Sequence, residues 1–122
     1  MKKFNTRFGQ DINGNEERIC LFPVNKKDIR IGDEGFKFFT RILFIQLKEM
    51  DLADNNISDI KDISYMILPH LEYLDLSYNK IKDINPIAKL KCEKLKEICL
   101  QKNEIEDISP FNDSYFPELE FY

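Results

Sequence analysis

The chain has 122 residues, of which 43% are hydrophobic and 33% are charged, with 22 acidic residues against 18 basic ones. This length and composition are typical of one globular domain with a buried core. No apolar run reaches the roughly 20 residues of a membrane-spanning helix, because even the densest, residues 36–47, is interrupted by polar side chains. We expect no membrane contact. No apolar stretch follows the basic N-terminal residues, which argues against secretion.

The three cysteines, Cys20, Cys92 and Cys99, are odd in number and widely spaced. That arrangement fits neither a disulfide framework nor a zinc site. The sequence therefore predicts a protein of the reducing cytoplasm, with no bound metal and no cofactor.

The charge is unevenly distributed along the chain. Residues 1–46 carry a net charge of +3 and residues 47–122 a net charge of −7. Nucleic-acid binding requires an excess of Lys and Arg that can displace counterions from the phosphates. The acidic segment therefore argues against a nucleic-acid partner and favours a basic protein partner.

The first predicted element is a short hairpin. The pair Asn13-Gly14 lies between residues 8–12 and 18–21, and Asn-Gly is the preferred type I′ turn. Such a hairpin would cover one end of the core. The alternative is a calcium loop, because Asp11, Asn13 and Asn15 stand at alternate positions. Against it, neither the glycine nor the terminal glutamate of such a loop is at the required position.

A helix is predicted next. Asp33 and Glu34 suit a helix N-terminus, where acidic groups interact favourably with the helix dipole. Phe36, Phe39 and Leu43 would share one face of that helix. We expect this face to pack against the core.

From residue 47 onwards, the sequence repeats every 24 residues. In each unit, an alternation such as Leu74 and Leu76 predicts a strand with one buried face. The asparagine that follows, such as Asn79, predicts a bend in which its amide pairs with backbone groups. The aspartates of the bend are predicted to bond neighbouring backbone. The clearest columns are Leu47, Leu71, Leu95 and Leu119; Asn55, Asn79 and Asn103; and Asp59, Asp83 and Asp107.

This pattern resembles the leucine-rich repeat family, and residues 79–87 and 103–111 are most similar to internalins and to regulatory subunits of protein phosphatases. The resemblance covers residues 47–122. It implies an α/β leucine-rich repeat solenoid, with a curved parallel sheet on the concave face and short 3₁₀ or helical turns on the convex face. Residues 47–122 would form three full 24-residue units and the start of a fourth.

Residues 1–46 are predicted to be an N-terminal cap that contains the hairpin and the helix. Residues 31–44 are similar to the helix-containing units of ribonuclease inhibitors. Two interpretations stay open. In one, Leu21 and Val24 are the strand residues of a degenerate repeat, aligned with Leu47 and Met50. In the other, the segment is a cap that does not repeat.

Side chains between the buried leucines would face the concave surface, in columns about 4.8 Å apart. One column alternates in charge, so we expect a structural ladder of ion pairs: Lys48, Glu72, Lys96 and Glu120. The next columns place Asp51 beside Asp75, a repulsive choice that folding alone does not explain. Tyr73 and Tyr78 flank this pair with rings of the kind enriched at interfaces.

These columns define the candidate partner-binding residues. The alternative is a solvated sheet face, since aspartate is common at this position of the repeat. The candidates are Glu49, Asp51, Tyr73, Asp75, Tyr78, Glu97 and Phe121.

Catalysis has little support in the sequence. The lone His70 follows Pro69 at a unit boundary, and no Ser/His/Asp or Cys/His grouping falls on one face. A carboxylate pair on a flat sheet has no pocket to raise one pKa. We therefore expect a protein that is not an enzyme.

The last residues, 119–122, would begin an edge strand, which can pair with a second copy, with a partner or with the rest of a longer array. Three functions remain open. The chain is a protein-interaction module that binds through its acidic, tyrosine-bearing concave face. Alternatively, it is an acidic inhibitor or immunity-type protein that blocks a basic enzyme, or a structural subunit of a larger assembly.

Overall fold

The computed structural model describes residue 12, residues 14–23 and residues 30–120. Four strands form one parallel sheet in the order β1-β2-β3-β4, and a helical segment follows each of them. This confirms the predicted α/β solenoid. In chain order, the elements are strand β1 (Arg18–Cys20), helix α1 (Gly32–Phe39), strand β2 (Glu49–Asp51), a 3₁₀ helix (Lys61–Tyr65), strand β3 (Tyr73–Asp75), helix α2 (Asn85–Ala88), strand β4 (Glu97–Cys99) and a second 3₁₀ helix (Ser109–Asp113).

The strand register confirms the 24-residue period. Glu49 pairs with Tyr73, and Tyr73 pairs with Glu97. Alternate side chains of a strand point to opposite faces of the sheet, so the outer residues of each strand share the face that is turned away from the core. We call this the open face. The central residues of the strands are buried in the core: Ile19, Met50, Leu74 and Ile98.

The core lies between the sheet and the helical segments, and α1 contributes two phenylalanine side chains to it. Phe36 and Phe39 are buried as predicted, and the Phe39 ring lies 4.9 Å from the Phe44 ring, centroid to centroid. The expectation for Leu43 is wrong, because α1 ends at Phe39 and Leu43 is 48% exposed. Beyond the helix, Ile42 and Phe44 enter the core instead.

The first strand lies in a different register from the one predicted. Ile19 pairs with Met50. Leu21, two residues further along the chain, is therefore equivalent to Leu52. The alignment of Leu21 with Leu47 is therefore wrong. Val24, which the same alignment placed beside Met50, lies outside the described residues.

The length of the first unit explains this error. Arg18 pairs with Glu49, 31 positions further along the chain, whereas the later strands are 24 positions apart. The seven additional residues lie between Leu21 and Ile31, because Ile31 already bonds to Asn55 at the 24-residue offset at which Asn55 bonds to Asn79. A search at a fixed period of 24 therefore misses β1, although β1 extends the same sheet.

Gly14 contacts the segment that leads from α1 to β2. Its φ is +97°, and a Cβ at this position would overlap the Leu43 carbonyl oxygen. The position therefore requires a glycine on both conformational and steric grounds. The first arm of the predicted hairpin lies outside the described residues, apart from Ile12, which is buried.

The asparagines form the predicted ladder along the bends. The Asn79 Oδ1 atom accepts the backbone N–H groups of Asn55, at 3.0 Å, and of Ile57, at 2.9 Å. Its amide nitrogen donates to three backbone carbonyls, those of Leu52, Leu76 and Ser77. One buried side chain thus pairs with five backbone groups. Two of them have a further partner, since the Ser77 carbonyl also accepts the N–H of Asp54 and the Leu76 carbonyl also accepts the amide of Asn103.

The ladder extends to both neighbouring units. Asn55 accepts the N–H of Ile31 at 3.1 Å and donates to the carbonyl of Leu21. Asn103 accepts the N–H of Ile81 at 2.9 Å. Asn55 and Asn79 are buried, whereas Asn103 is half-buried.

The bend aspartates also behave as predicted. Asp59, Asp83 and Asp107 each accept the backbone N–H of the residue two positions later, at 2.9 to 3.0 Å. In the first unit, Asp33 of α1 accepts the N–H and the hydroxyl of Ser58 in the next unit. Aspartates therefore fix the chain within and between units.

We predict that Asn79→Ala lowers the free energy of unfolding by at least about 3 kcal/mol, because several buried backbone groups lose their only side-chain partner. Urea denaturation measures the loss. Asn103→Ala is the matched control, since Asn103 is half-buried and water can replace part of its bonding; we expect about 1 kcal/mol. Equal losses in the two variants would contradict the ladder as described.

Candidate functional site

The open face carries two rows of side chains from adjacent strands. Five of the candidate residues lie within these rows and are half-buried: Glu49, Asp51, Tyr73, Asp75 and Glu97. Phe121 lies outside the described residues. The first row is Arg18, Glu49, Tyr73 and Glu97, and the second row is Cys20, Asp51, Asp75 and Cys99.

Arg18 and Cys20 are not among the predicted site residues, because the predicted register of the first strand is wrong. The sequence signal that identifies them is the alternation of Ile19 and Leu21 around Cys20. This alternation lies 31 residues before the same alternation in β2. With β1 in place, Glu49 and Asp51 are no longer at the edge of the sheet.

Ion pairs cover one side of the first row. The Arg18 Nε atom lies 2.6 Å from Glu49 Oε2, and Lys96 Nζ lies 3.2 Å from Glu72 Oε1. The pair of Lys96 and Glu72 confirms the predicted charge ladder between these two neighbouring units. These pairs are solvent-exposed, so each contributes little to stability. They border a shallow depression of about 320 Å³ whose lining includes Tyr73.

The two aspartates of the second row have a local structural role. Asp75 Oδ1 accepts the backbone N–H and the hydroxyl of Ser77, at 2.9 and 2.6 Å. Asp51 Oδ1 accepts the N–H of Ala53 at 3.0 Å. Each carboxylate thus fixes the chain where its strand ends. Folding therefore explains why an aspartate stands at each of these positions, which the sequence did not reveal.

The carboxylates of Asp51 and Asp75 nevertheless repel each other. Burial, together with the negative charge of Asp75, raises the pKa of Asp51, although the hydrogen bond from Ala53 acts in the opposite direction. The Cys20 thiol lies 3.7 Å from the second Asp51 oxygen. The second row therefore holds concentrated negative charge at a small cost in stability.

Tyr73 connects the two rows. Its hydroxyl donates to Asp75 Oδ2 at 3.1 Å, and the Cys99 thiol lies 3.7 Å from the same hydroxyl. Burial raises the pKa of Tyr73, and Cys99 and Asp75 act in the same direction. Burial also raises the pKa of Cys99, as do the charges of Asp75 and Glu97. The phenol is therefore neutral, and its ring is held in one orientation.

Tyr78 lies beyond the end of β3, and its side chain is 55% exposed. Its φ is +57°, in the left-handed region that tyrosine rarely adopts. Asp54 and Lys102, at the equivalent positions of the neighbouring units, have φ values of +55° and +60°. The bend therefore imposes this conformation on whichever residue is present, and in this unit it presents an aromatic ring to solvent.

Two further observations concern the described residues alone. No three His, Cys, Asp or Glu side chains among them are arranged so that they could hold a metal ion. Among the same residues, no helix has both the length and the apolar character needed to cross a membrane.

We predict that Asp51→Asn stabilises the protein at pH 7. Folding raises the pKa of Asp51, so this group favours the folded state only below its ordinary pKa of 3.8, and that advantage is lost as the pH rises through the raised value. Asparagine keeps the acceptor for Ala53 and removes the charge. The gain should be below about 1 kcal/mol, since solvent screens the pair.

Urea unfolding at pH 7 and pH 3 measures this effect, with the exposed Glu106→Gln as the control for removal of one negative charge. We expect the stability gain of Asp51→Asn to disappear at pH 3, where the wild-type carboxyl is protonated. A gain of the same size at both pH values, or in the control, would contradict the electrostatic explanation.

The chain has been compared with curated sequences, with solved structures and with family models. A search of curated protein sequences finds no match. The solved structure of internalin C2 from Listeria monocytogenes is similar at a TM-score of 0.41 and 16% sequence identity, over 86% of this chain and 69% of that one. A family model described as leucine rich repeat matches residues 45–105, half of the chain. The match contains β2, β3 and β4, so the chain belongs to the leucine-rich repeat family, whose stacked units serve as protein-binding modules.

Proposed function

We propose that the chain is a non-enzymatic protein-interaction module of the cytoplasm that binds a basic protein partner through the open face. The contact would be centred on Tyr73, Asp75 and Tyr78. Its rim would include the other candidate residues on this face, Glu49, Asp51 and Glu97. The observation that carries the proposal is the hydrogen bond from Tyr73 to Asp75, which fixes an aromatic ring beside a carboxylate whose neighbour on the next strand is Asp51.

Preorganisation is the physical argument for this face. The side chains of Asp51, Tyr73 and Asp75 are already held by hydrogen bonds in the free chain, so a partner would lose little affinity to their ordering. Aromatic residues of this kind dominate the binding energy at interfaces. The two carboxylates would select Lys or Arg on the partner, in agreement with the net charge of −7 over residues 47–122.

A second candidate is an acidic inhibitor or immunity-type protein that blocks a basic enzyme. The same face would then bind an enzyme whose own active site is positively charged. The two adjacent carboxylates of the second row, Asp51 and Asp75, favour this candidate. Association driven by charge is fast at low salt and slows strongly as salt screens it.

A third candidate is a structural subunit that assembles through the C-terminal end of the sheet, with a second copy or with another protein. Leu100, Ile105 and Leu119 are only partly buried, whereas Leu52 and Leu76 in the earlier units are fully buried. Covering these residues would bury further apolar surface. Light scattering at several concentrations, with Leu100→Ser as the variant, tests whether this end forms a dimer.

We predict that Tyr78→Ala weakens partner binding by at least tenfold. The partner would be isolated by affinity purification with the full chain and its dissociation constant measured by calorimetry. Tyr115→Ala is the matched control, since Tyr115 lies outside the open face. Its side chain is 67% exposed, against 55% for Tyr78. We expect the control to bind within twofold of the wild type.

If Tyr78→Ala and Tyr73→Phe both bind normally, the open face is not the contact. Stopped-flow association at 50 and 500 mM salt then separates the first two candidates. A fall of more than about 100-fold in the association rate indicates a charge-driven inhibitor. A fall below about tenfold indicates an interface that depends mainly on the aromatic contacts.

A further inference from the structure

A second accessible surface lies along the segments that lead into the strands. Residues 41–45, 65–69 and 89–93 precede β2, β3 and β4, and each shows the same alternation of exposed and buried positions. The buried positions belong to the core, as with Leu68 and Cys92. The exposed positions therefore point away from the core at one side of the repeats. We call these nine exposed positions the lower edge.

The three segments stack on one another. The Cys92 thiol lies 3.5 Å from the carbonyl oxygen of Leu68 and 3.4 Å from that of Leu71, in the preceding unit. The strands they lead into are paired at an offset of 24 residues. Equivalent exposed residues are therefore neighbours, separated by about the 4.8 Å between adjacent strands.

The lower edge combines a continuous apolar centre with basic residues. Leu43 and Ile67 are 48% and 64% exposed, and Tyr65 beside them is 81% exposed. Adjacent exposed apolar side chains of this kind mark interaction sites. Two columns of neighbours result. The first is Arg41, Tyr65 and Lys89, and the second is Leu43, Ile67 and Lys91.

The charge of this surface is opposite to that of the open face. Its nine positions hold three basic residues and one acidic residue, Glu93, in a chain whose net charge is −4. The equivalent positions of the next unit add Asp113 and Tyr115, so basic residues still outnumber acidic ones along these columns. The Arg41 guanidinium lies over the ring of Phe38, 5.8 Å from its centroid. This contact holds a cation at the border of the apolar centre.

We propose that the lower edge docks an acidic amphipathic protein segment. Its leucine or phenylalanine side chains would cover Leu43, Tyr65 and Ile67, and its carboxylates would pair with Arg41 and Lys91. This surface is independent of the open face, whose carboxylates would repel such a segment. An anionic bilayer is a poorer fit, because the molecule as a whole is negatively charged.

The test uses the isotope-labelled full chain, titrated with a 12-residue synthetic peptide that alternates glutamate and leucine. A second peptide has lysine in place of each glutamate. We expect chemical-shift changes concentrated in residues 41–45, 65–69 and 89–93 with the acidic peptide only. Ile67→Ser and Lys91→Glu should each raise its dissociation constant at least fivefold. Ile108→Ser and Lys80→Glu are the matched controls, since Ile108 is 58% exposed and Lys80 is exposed elsewhere; both should change it less than twofold.

Several results would overturn the proposal. Equal binding of the lysine peptide would remove the charge argument, and shifts on the open face would place the contact elsewhere. A dimer that dissociates in Ile67→Ser would make a second copy the occupant. Nuclear Overhauser contacts from another segment of the chain to Ile67 would mean that the edge is already covered. Binding to phosphatidylserine vesicles in place of the acidic peptide would make it a membrane surface.

Discussion

The structure depends on the need to pair the backbone groups that each bend takes out of the sheet. A chain that turns after a three-residue strand leaves N–H and C=O groups in the core, where unpaired groups cost about 1–3 kcal/mol each. The buried asparagines meet this need, since each joins backbone groups of two successive units, as Asn79 does. This bonding fixes the spacing of the units, and therefore which side chains stand beside one another on the sheet.

The two candidate surfaces follow from that register. Because equivalent residues become neighbours, Asp75 stands beside Asp51 on the open face, and Ile67 stands beside Leu43 on the lower edge. The first surface is acidic and held by internal hydrogen bonds, and the second is apolar with a basic border. Surfaces of opposite charge select different partners, so the two proposals together predict that the chain contacts two different proteins.

The part of the fold that repeats strictly was predictable, because each unit presents the same packing problem and solves it with the same residue types. The sequence therefore predicted the sheet, its period and the ladder of Asn55, Asn79 and Asn103. It failed at β1, since additional residues between Leu21 and Ile31 shift the register of this strand against the later units. Within the candidate site, the neighbours on the open face were predictable from the period. The bond from Tyr73 to Asp75 was not, because it depends on side-chain conformation.

Hydrogen exchange of the individual backbone amides tests the central claim most directly. The amides of Ile57 and Ile81 donate to asparagine side chains inside the repeats, whereas the amide of Ser58 donates to the exposed Asp33. We predict that Ile57 and Ile81 exchange only on global unfolding and that Ser58 exchanges faster by at least 100-fold. If Ile57 and Ile81 exchange as fast as Ser58 does, the asparagine ladder does not hold the repeats together.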